Sequence, residues 1–206
     1  MSHFDEAAKG WDEDLMHLDR AVKTHEKITG YLDVKRNWTC LEFGCGTGLL
    51  SFRFQPDVGT IDLVDTAEGM IAVVKDKIAT LRIGTMHFVD FEAVRTDAAY
   101  EGRYDLVYSL MSFHHVDDYE SYLGAFNRIL KSGGYFCLAD LCEEDGSFHA
   151  HLPYFAGYTG FDPAVVAAQA ETRGFRKEYL GNYYTVIKNG REYPLFLLIL
   201  RKVTSC

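Results

Sequence analysis

The chain has 206 residues, 48% apolar and 25% charged, with a formal net charge of −9. That length suits one well-buried domain rather than two, and the acidic balance without a basic run speaks against a nucleic-acid partner. No apolar run approaches the ~20 residues that span a bilayer, and the acidic opening MSHFDEAAKGWDED has no signal or transit character. Cys40, Cys45, Cys137, Cys142 and Cys206 form no CxxC pair and no zinc spacing, so free thiols and a cytoplasmic location are expected.

In chain order, apolar groups at Leu15, Leu18, Val22, His25, Ile28 and Leu32 predict a helix over 13–32. A polar linker, 33–37, precedes a buried strand at 38–43. Then comes Glu42-Phe43-Gly44-Cys45-Gly46-Thr47-Gly48, a glycine turn leading into a short helix that Pro56 stops. Its glycines tolerate unusual dihedrals and leave room for a ligand, and the following helix's free N–H groups are expected to point at that ligand. Leu49 stands where a dinucleotide fingerprint needs its third glycine, and no lysine completes a Walker loop.

Val58–Val64 predicts a second strand, with Asp65 at its end and Thr66 to Ile78 as a helix. Asp65 lies about 20 residues past the glycine turn, where an open α/β sheet places the acid that binds ribose hydroxyls; the alternative is a helix N-cap. Thr85–Val89 is a third strand ending at Asp90-Phe91, and Tyr104–Leu110 a fourth. The loop Met111–Val116 follows at that strand's carboxyl end, where ligands bind in such sheets. Asp117–Leu130 is the next helix, striped by Tyr119, Tyr122, Leu123, Phe126 and Leu130, with Lys131-Ser132-Gly133-Gly134 as its C-terminal stop. Residues 135–141 form a fifth strand and 163–173 a helix. Asn189-Gly190 between apolar runs 183–188 and 194–200 predicts a hairpin.

The E-x-G-x-G-x-G run at 42–48 resembles motif I of the class I S-adenosylmethionine (SAM) methyltransferases. The opening FDEAAKGWDED, the Asp65 segment with Met70, YDLVYSLMSFHHV at 104–116 and the KSGG tag resemble further segments of that family, of the small-molecule type. The resemblance covers about residues 4–202. It implies an α/β, Rossmann-like αβα sandwich with a seven-stranded, mostly parallel sheet of order 3-2-1-4-5-7-6, strand 7 antiparallel. It implies one domain, 1–206, with a helical lid at 1–36 and a core at 37–206. SAM, leaving as S-adenosylhomocysteine, is the implied cofactor. Its implied binding residues are Glu42, Gly44, Cys45, Gly46 and Gly48 for the amino-acid end, Asp65, Thr66 and Met70 near the ribose, Asp90 and Phe91 for adenine, and Trp11 over it. Trp11 as a packing aromatic is the alternative.

The implied activity is methyl transfer to a small, partly apolar acceptor. His114 and His115 are the catalytic candidates, His114 on the acceptor side and His115 as structural support. A loop at 147–160, rich in His and aromatics, is expected to line the acceptor pocket with the N-terminal helix. His149 and His151 alone make a weak metal signal, and no metal is expected. Two rivals remain: a non-catalytic SAM- or adenosine-nucleotide-binding protein, and a catechol-type O-methyltransferase with a metal held by Asp140, Glu143 and Asp145. An NAD-dependent oxidoreductase conflicts with the missing third glycine. No membrane insertion is expected, and the state is open between monomer and homodimer.

Overall fold

A computed structural model describes residues 3–152 and 155–203. Pro153 and Tyr154 of the expected acceptor loop, and Cys206, lie outside the described residues. Seven strands form one sheet: β1 (Thr39–Phe43), β2 (Thr60–Val64), β3 (Met86–Phe88), β4 (Tyr104–Leu110), β5 (Leu130–Leu141), β6 (Phe175–Lys188) and β7 (Arg191–Lys202). Their order is β3-β2-β1-β4-β5-β7-β6. The pairs from β3 to β5 are parallel, and β7 runs antiparallel to both β5 and β6. The expected Rossmann-like topology is observed.

Alternation along the strands builds two cores. Phe136, Leu138, Phe196, Leu198 and Leu200 face one side, against α5 (Phe91–Thr96), α6 (Tyr119–Ile129) and α7 (Pro163–Glu171). Cys137, Ala139, Leu197 and Ile199 face the other, against α2 (Leu15–Tyr31), α3 (Leu49–Phe54) and α4 (Glu68–Leu81). A sheet covered on both faces needs strands apolar on both faces. The run PLFLLIL in β7 meets that need: Leu195 to Leu200 are all fully buried.

Three elements differ from expectation. The buried face of α2 is Arg20, Ala21, Thr24 and Ile28, while Leu15 is 78% exposed. The apolar stripe read from the sequence is rotated because a polar Arg and Thr, not leucines, face inward. The Lys131–Gly134 run is not a helix stop. α6 ends at Ile129 and the chain enters β5 at Leu130, which pairs with Tyr104 before the register shifts. A Cβ at Gly134 would meet the carbonyl oxygens of Lys131, Asp105 and Tyr104 at 3.0–3.2 Å, so this glycine serves a tight strand entry. Third, the hairpin is longer than its apolar core, with β6 starting at Phe175. Its tip is as expected: Asn189 and Gly190 both have positive φ, 52° and 73°.

The N-terminal segment is α1 (His3–Ala7) and a 3₁₀ turn (Ala8–Glu13) ahead of α2. Asp14 caps α2, accepting from the Met16 N–H at 2.8 Å. Among the described residues no helix is long and apolar enough to cross a membrane.

Candidate functional site

A cavity of about 1040 Å³ opens at the carboxyl ends of β1, β2 and β4. Its floor is the turn after β1. Gly44, Gly46 and Gly48 all have positive φ, from 52° to 79°, and a Cβ at Gly44 would sit 2.2 Å from Cβ of Ser112. Ser112 Oγ donates to the Gly44 carbonyl at 2.8 Å and so ties the β4 loop to the turn. Most of the turn's own N–H groups are already used within the fold. Gly44 and Cys45 donate to the Val64 carbonyl, Gly46 to Asp65 Oδ2 and Gly48 to the Cys45 carbonyl.

Glu42 is 2% exposed yet lines the cavity. Ser51 donates to its carboxylate and in turn accepts from the Tyr108 hydroxyl. Burial pushes the Glu42 carboxyl up to about 8, outweighing the lowering by Ser51. A cation entering the cavity would therefore meet an acid ready to give up its proton. Asp65 accepts from Gly46 N–H at 2.7 Å and from Ala67 N–H at 2.9 Å, one bond per oxygen. A carboxylate offers about four acceptor sites, so the carboxylate that fixes the turn keeps acceptor capacity for hydroxyls in the cavity.

The N-terminal segment lies over this floor. Asp5 accepts from the Gly69 N–H at 2.9 Å, and Asp12 accepts from the Thr47 hydroxyl at 2.5 Å. Lys77 pairs with Asp12 and donates to the Thr47 carbonyl at 2.8 Å. Trp11 lines the cavity and stacks on His17 at 4.0 Å, so its binding and packing readings coexist.

Of the residues singled out in the sequence, Trp11, Glu42, Gly44, Cys45, Gly46, Asp65, Thr66, Met70 and His115 line the cavity. Gly48, Asp90, Phe91 and His114 are not among its lining residues. Gly48 stands at the start of α3, in contact distance of Phe52. Asp90 caps α5, and Phe91 stacks on Tyr122 at 5.3 Å with the rings nearly coplanar. The two histidines sit opposite to expectation. His114 is 1% exposed, its Nδ1 held by Asp140 Oδ1 at 2.5 Å. His115 reaches the cavity and meets the Phe4 ring edge-on at 5.2 Å. Burial and its histidine neighbour push His115 down to about 4, so its imidazole is neutral near pH 7.

Sequence reasoning missed Arg20 and the Asp5 and Asp12 ties. Arg20 is 7% exposed, lines the cavity, and its Nε has no hydrogen-bond partner among the described residues. A charged residue inside an otherwise small-residue helix face was the available signal. The oxygen-ligand set Asp140, Glu143 and Asp145 is not gathered. Asp140 accepts from the Phe113, His114 and Leu141 N–H groups as well as from His114, while Asp145 pairs with Arg191.

Residues 41–136 match the family described as a methyltransferase domain. That match, together with the relatives and the fold, supports a class I SAM-dependent methyltransferase family. SAM is the cofactor of that family. The chain is 26% identical over 125 residues to an uncharacterized methyltransferase of Schizosaccharomyces pombe, covering 57% of this chain and 44% of the relative. It is 27% identical over 140 residues to demethylmenaquinone methyltransferase of Leptospira interrogans, covering 64% of this chain and 53% of the relative. The chain thus spans about half the length of the curated relatives it matches. A SAM-dependent methyltransferase of Aquifex aeolicus superposes with a TM-score of 0.72 at 18% identity, over 97% of this chain and 98% of the other. At that identity the likeness speaks for the fold.

Proposed function

We propose that this protein transfers the methyl group of SAM to a small, partly apolar molecule, as a single domain whose residues 1–36 form the lid. The observation that carries the reading is one cavity with two chemically different sides under that lid. Glu42, the glycine turn and Asp65 form the first side; Phe4, Met111, His115 and Val116 form the second. Methyl transfer from a sulfonium is an in-line displacement, so the protein's main task is to hold acceptor and methyl carbon close and aligned. Asp65 receives the ribose hydroxyls and Glu42 the cationic amino-acid end. On the acceptor side the neutral imidazole of His115 can hydrogen-bond to the acceptor, and it is the acceptor-side residue in preference to His114. A partly apolar acceptor suits the aromatic and aliphatic lining there, and the relative that acts on demethylmenaquinone is in keeping with this.

We also read the protein as cytoplasmic and without a nucleic-acid partner. Free thiols at Cys40, Cys45, Cys137 and Cys142 support a reducing compartment, and the net charge of −9 disfavours a polyanion. The test is a thermal shift with SAM, S-adenosylhomocysteine and NAD, followed by a labelled-methyl screen over small metabolites. Stabilisation by SAM and its product, with label transferred to a small molecule, is expected. SAM binding without transfer to any acceptor class would leave a binding protein, and stabilisation by NAD alone would overturn the assignment.

A further inference from the structure

Beyond the cofactor side, three histidines from separate loops meet beside the cavity. His114 and His115 come from the loop after β4, and His149 from the loop after β5. One ring nitrogen of each lies within 4.8 Å of the other two. The rings stand 4.2 Å (His114–His115), 5.0 Å (His114–His149) and 5.4 Å (His115–His149) apart. The rings of His115 and His149 pack on Phe155, at 5.4 and 3.8 Å, but ring packing does not call for the converging nitrogens.

Two further features turn the cluster toward a ligand. His114 Nε2 and His149 Nδ1 are buried nitrogens without a hydrogen-bond partner among the described residues. Leaving such atoms unpaired is costly, on the order of 1–3 kcal/mol each. His114 Nδ1 is held by the Asp140 carboxylate at 2.5 Å, and Asp140 is itself fixed by three backbone N–H groups. A carboxylate on one ring nitrogen of a histidine orients the ring and makes the other nitrogen a better metal donor.

We propose that His114 Nε2, His149 Nδ1 and His115 bind one zinc-class divalent transition-metal ion. Imidazole nitrogens suit zinc, cobalt or nickel rather than calcium or magnesium, which take oxygen ligands. Tetrahedral zinc with Zn–N bonds of about 2.0–2.1 Å needs nitrogens about 3.3 Å apart. From a spacing within 4.8 Å, the cluster must contract by roughly 1.5 Å at most. Three protein ligands leave a fourth position, and His115 brings the site to the cavity wall on the acceptor side. His151 is not part of the set; its ring lies 6.5 Å from that of His149 and its Nδ1 faces Lys188 at 3.3 Å.

The site stands whether or not methyl transfer is the activity, and its test does not use turnover. The full chain is stripped with a chelator, dialysed and titrated with Zn²⁺ against a chromophoric chelator, and separately with Co²⁺ followed by visible absorption. One equivalent per chain, with the intense visible bands of four-coordinate Co²⁺, is expected. His149→Ala and His115→Ala, checked for folding by melting curve, should each weaken zinc at least tenfold, and His151→Ala should not. Wild-type protein that takes up no stoichiometric zinc overturns the proposal, even if both variants fail to fold. Zinc binding unchanged in a folded His149→Ala or His115→Ala variant, or abolished by His151→Ala, overturns it as well. SAM binding is measured on the same stripped protein, so failure of the metal site and failure of the methyltransferase reading are read separately.

Discussion

Asp65 has two tasks on one side chain, and they separate under mutation. Its oxygens hold the Gly46 and Ala67 N–H groups at 2.7 and 2.9 Å while facing the cavity. Asp65→Asn keeps one acceptor oxygen, and Asp65→Ala keeps none. Loss of a charge-assisted hydrogen bond to SAM should cost ~1.5–3 kcal/mol of binding in the alanine variant, measured by calorimetry on protein shown to be folded. Unchanged affinity would remove Asp65 from the cofactor site. Asp90→Ala should change SAM affinity much less, because Asp90 caps α5 and does not line the cavity.

Glu42 gives a pH signature. Burial raises its carboxyl from 4.5 to about 8 in the folded chain. Between those values the folded state holds a proton that the unfolded state has lost, so stability falls as pH rises through the window and levels off above it. A bound cationic amine favours the carboxylate. SAM binding should therefore release a proton near pH 7, and affinity should rise from pH 6 to 8. Calorimetry in two buffers of different protonation enthalpy checks this. Glu42→Gln should abolish both the proton release and the slope; a slope that survives in Glu42→Gln belongs to another group. The identity of this residue was legible in the sequence through its place before the glycine turn. Its protonation was not, because that depends on closure by Ser51 and Tyr108 from other elements.

At the scale of elements, the N-terminal segment is clamped rather than loosely laid. Asp5 on Gly69 and Asp12 on Thr47 and Lys77 bridge it to the turn and to α4. Asp12→Ala should leave the sheet intact, raise proteolytic cleavage within residues 3–14, and lower turnover on an identified acceptor by admitting water. Deleting residues 1–14 should also leave the sheet intact, since no strand lies among the described residues there, and should lower turnover more strongly. Full turnover after the deletion would show that the segment has no role in closure. The sequence made this element visible as a resemblance in FDEAAKGWDED, but not its anchors, because Asp5 and Asp12 read as ordinary surface acids. The His114-His115 pair shows the same limit. Adjacent residues in a 3₁₀ turn diverge in direction, and only Asp140, 26 positions away, decides which ring turns inward. The lysine-glycine run after α6 was misread for a related reason: a glycine that ends a helix and a glycine that lets strands approach look alike without the neighbouring carbonyls.

Across the whole molecule, the strands, helices and glycine turn were legible from local periodicity and one short motif, whereas the strand order and layers followed only from the resemblance those segments carry. The sheet also couples binding to stability in a way that can be measured. Leu198 is fully buried in β7, paired with Leu138 on β5 and Leu180 on β6, and does not line the cavity. Leu198→Ala should cost ~2–5 kcal/mol of unfolding free energy by denaturant titration, with SAM affinity of the folded protein unchanged. SAM at a hundredfold its dissociation constant should restore about 2.7 kcal/mol by mass action. In the Leu198→Ala/Asp65→Ala double variant the same SAM concentration should restore less than about 1.5 kcal/mol, because binding is weakened ~10–150-fold. The two substitutions share no contact, so their stability costs without SAM should add within about 0.5 kcal/mol. Equal rescue in the single and double variants would show that SAM stabilises the fold from a place other than the cavity under the lid.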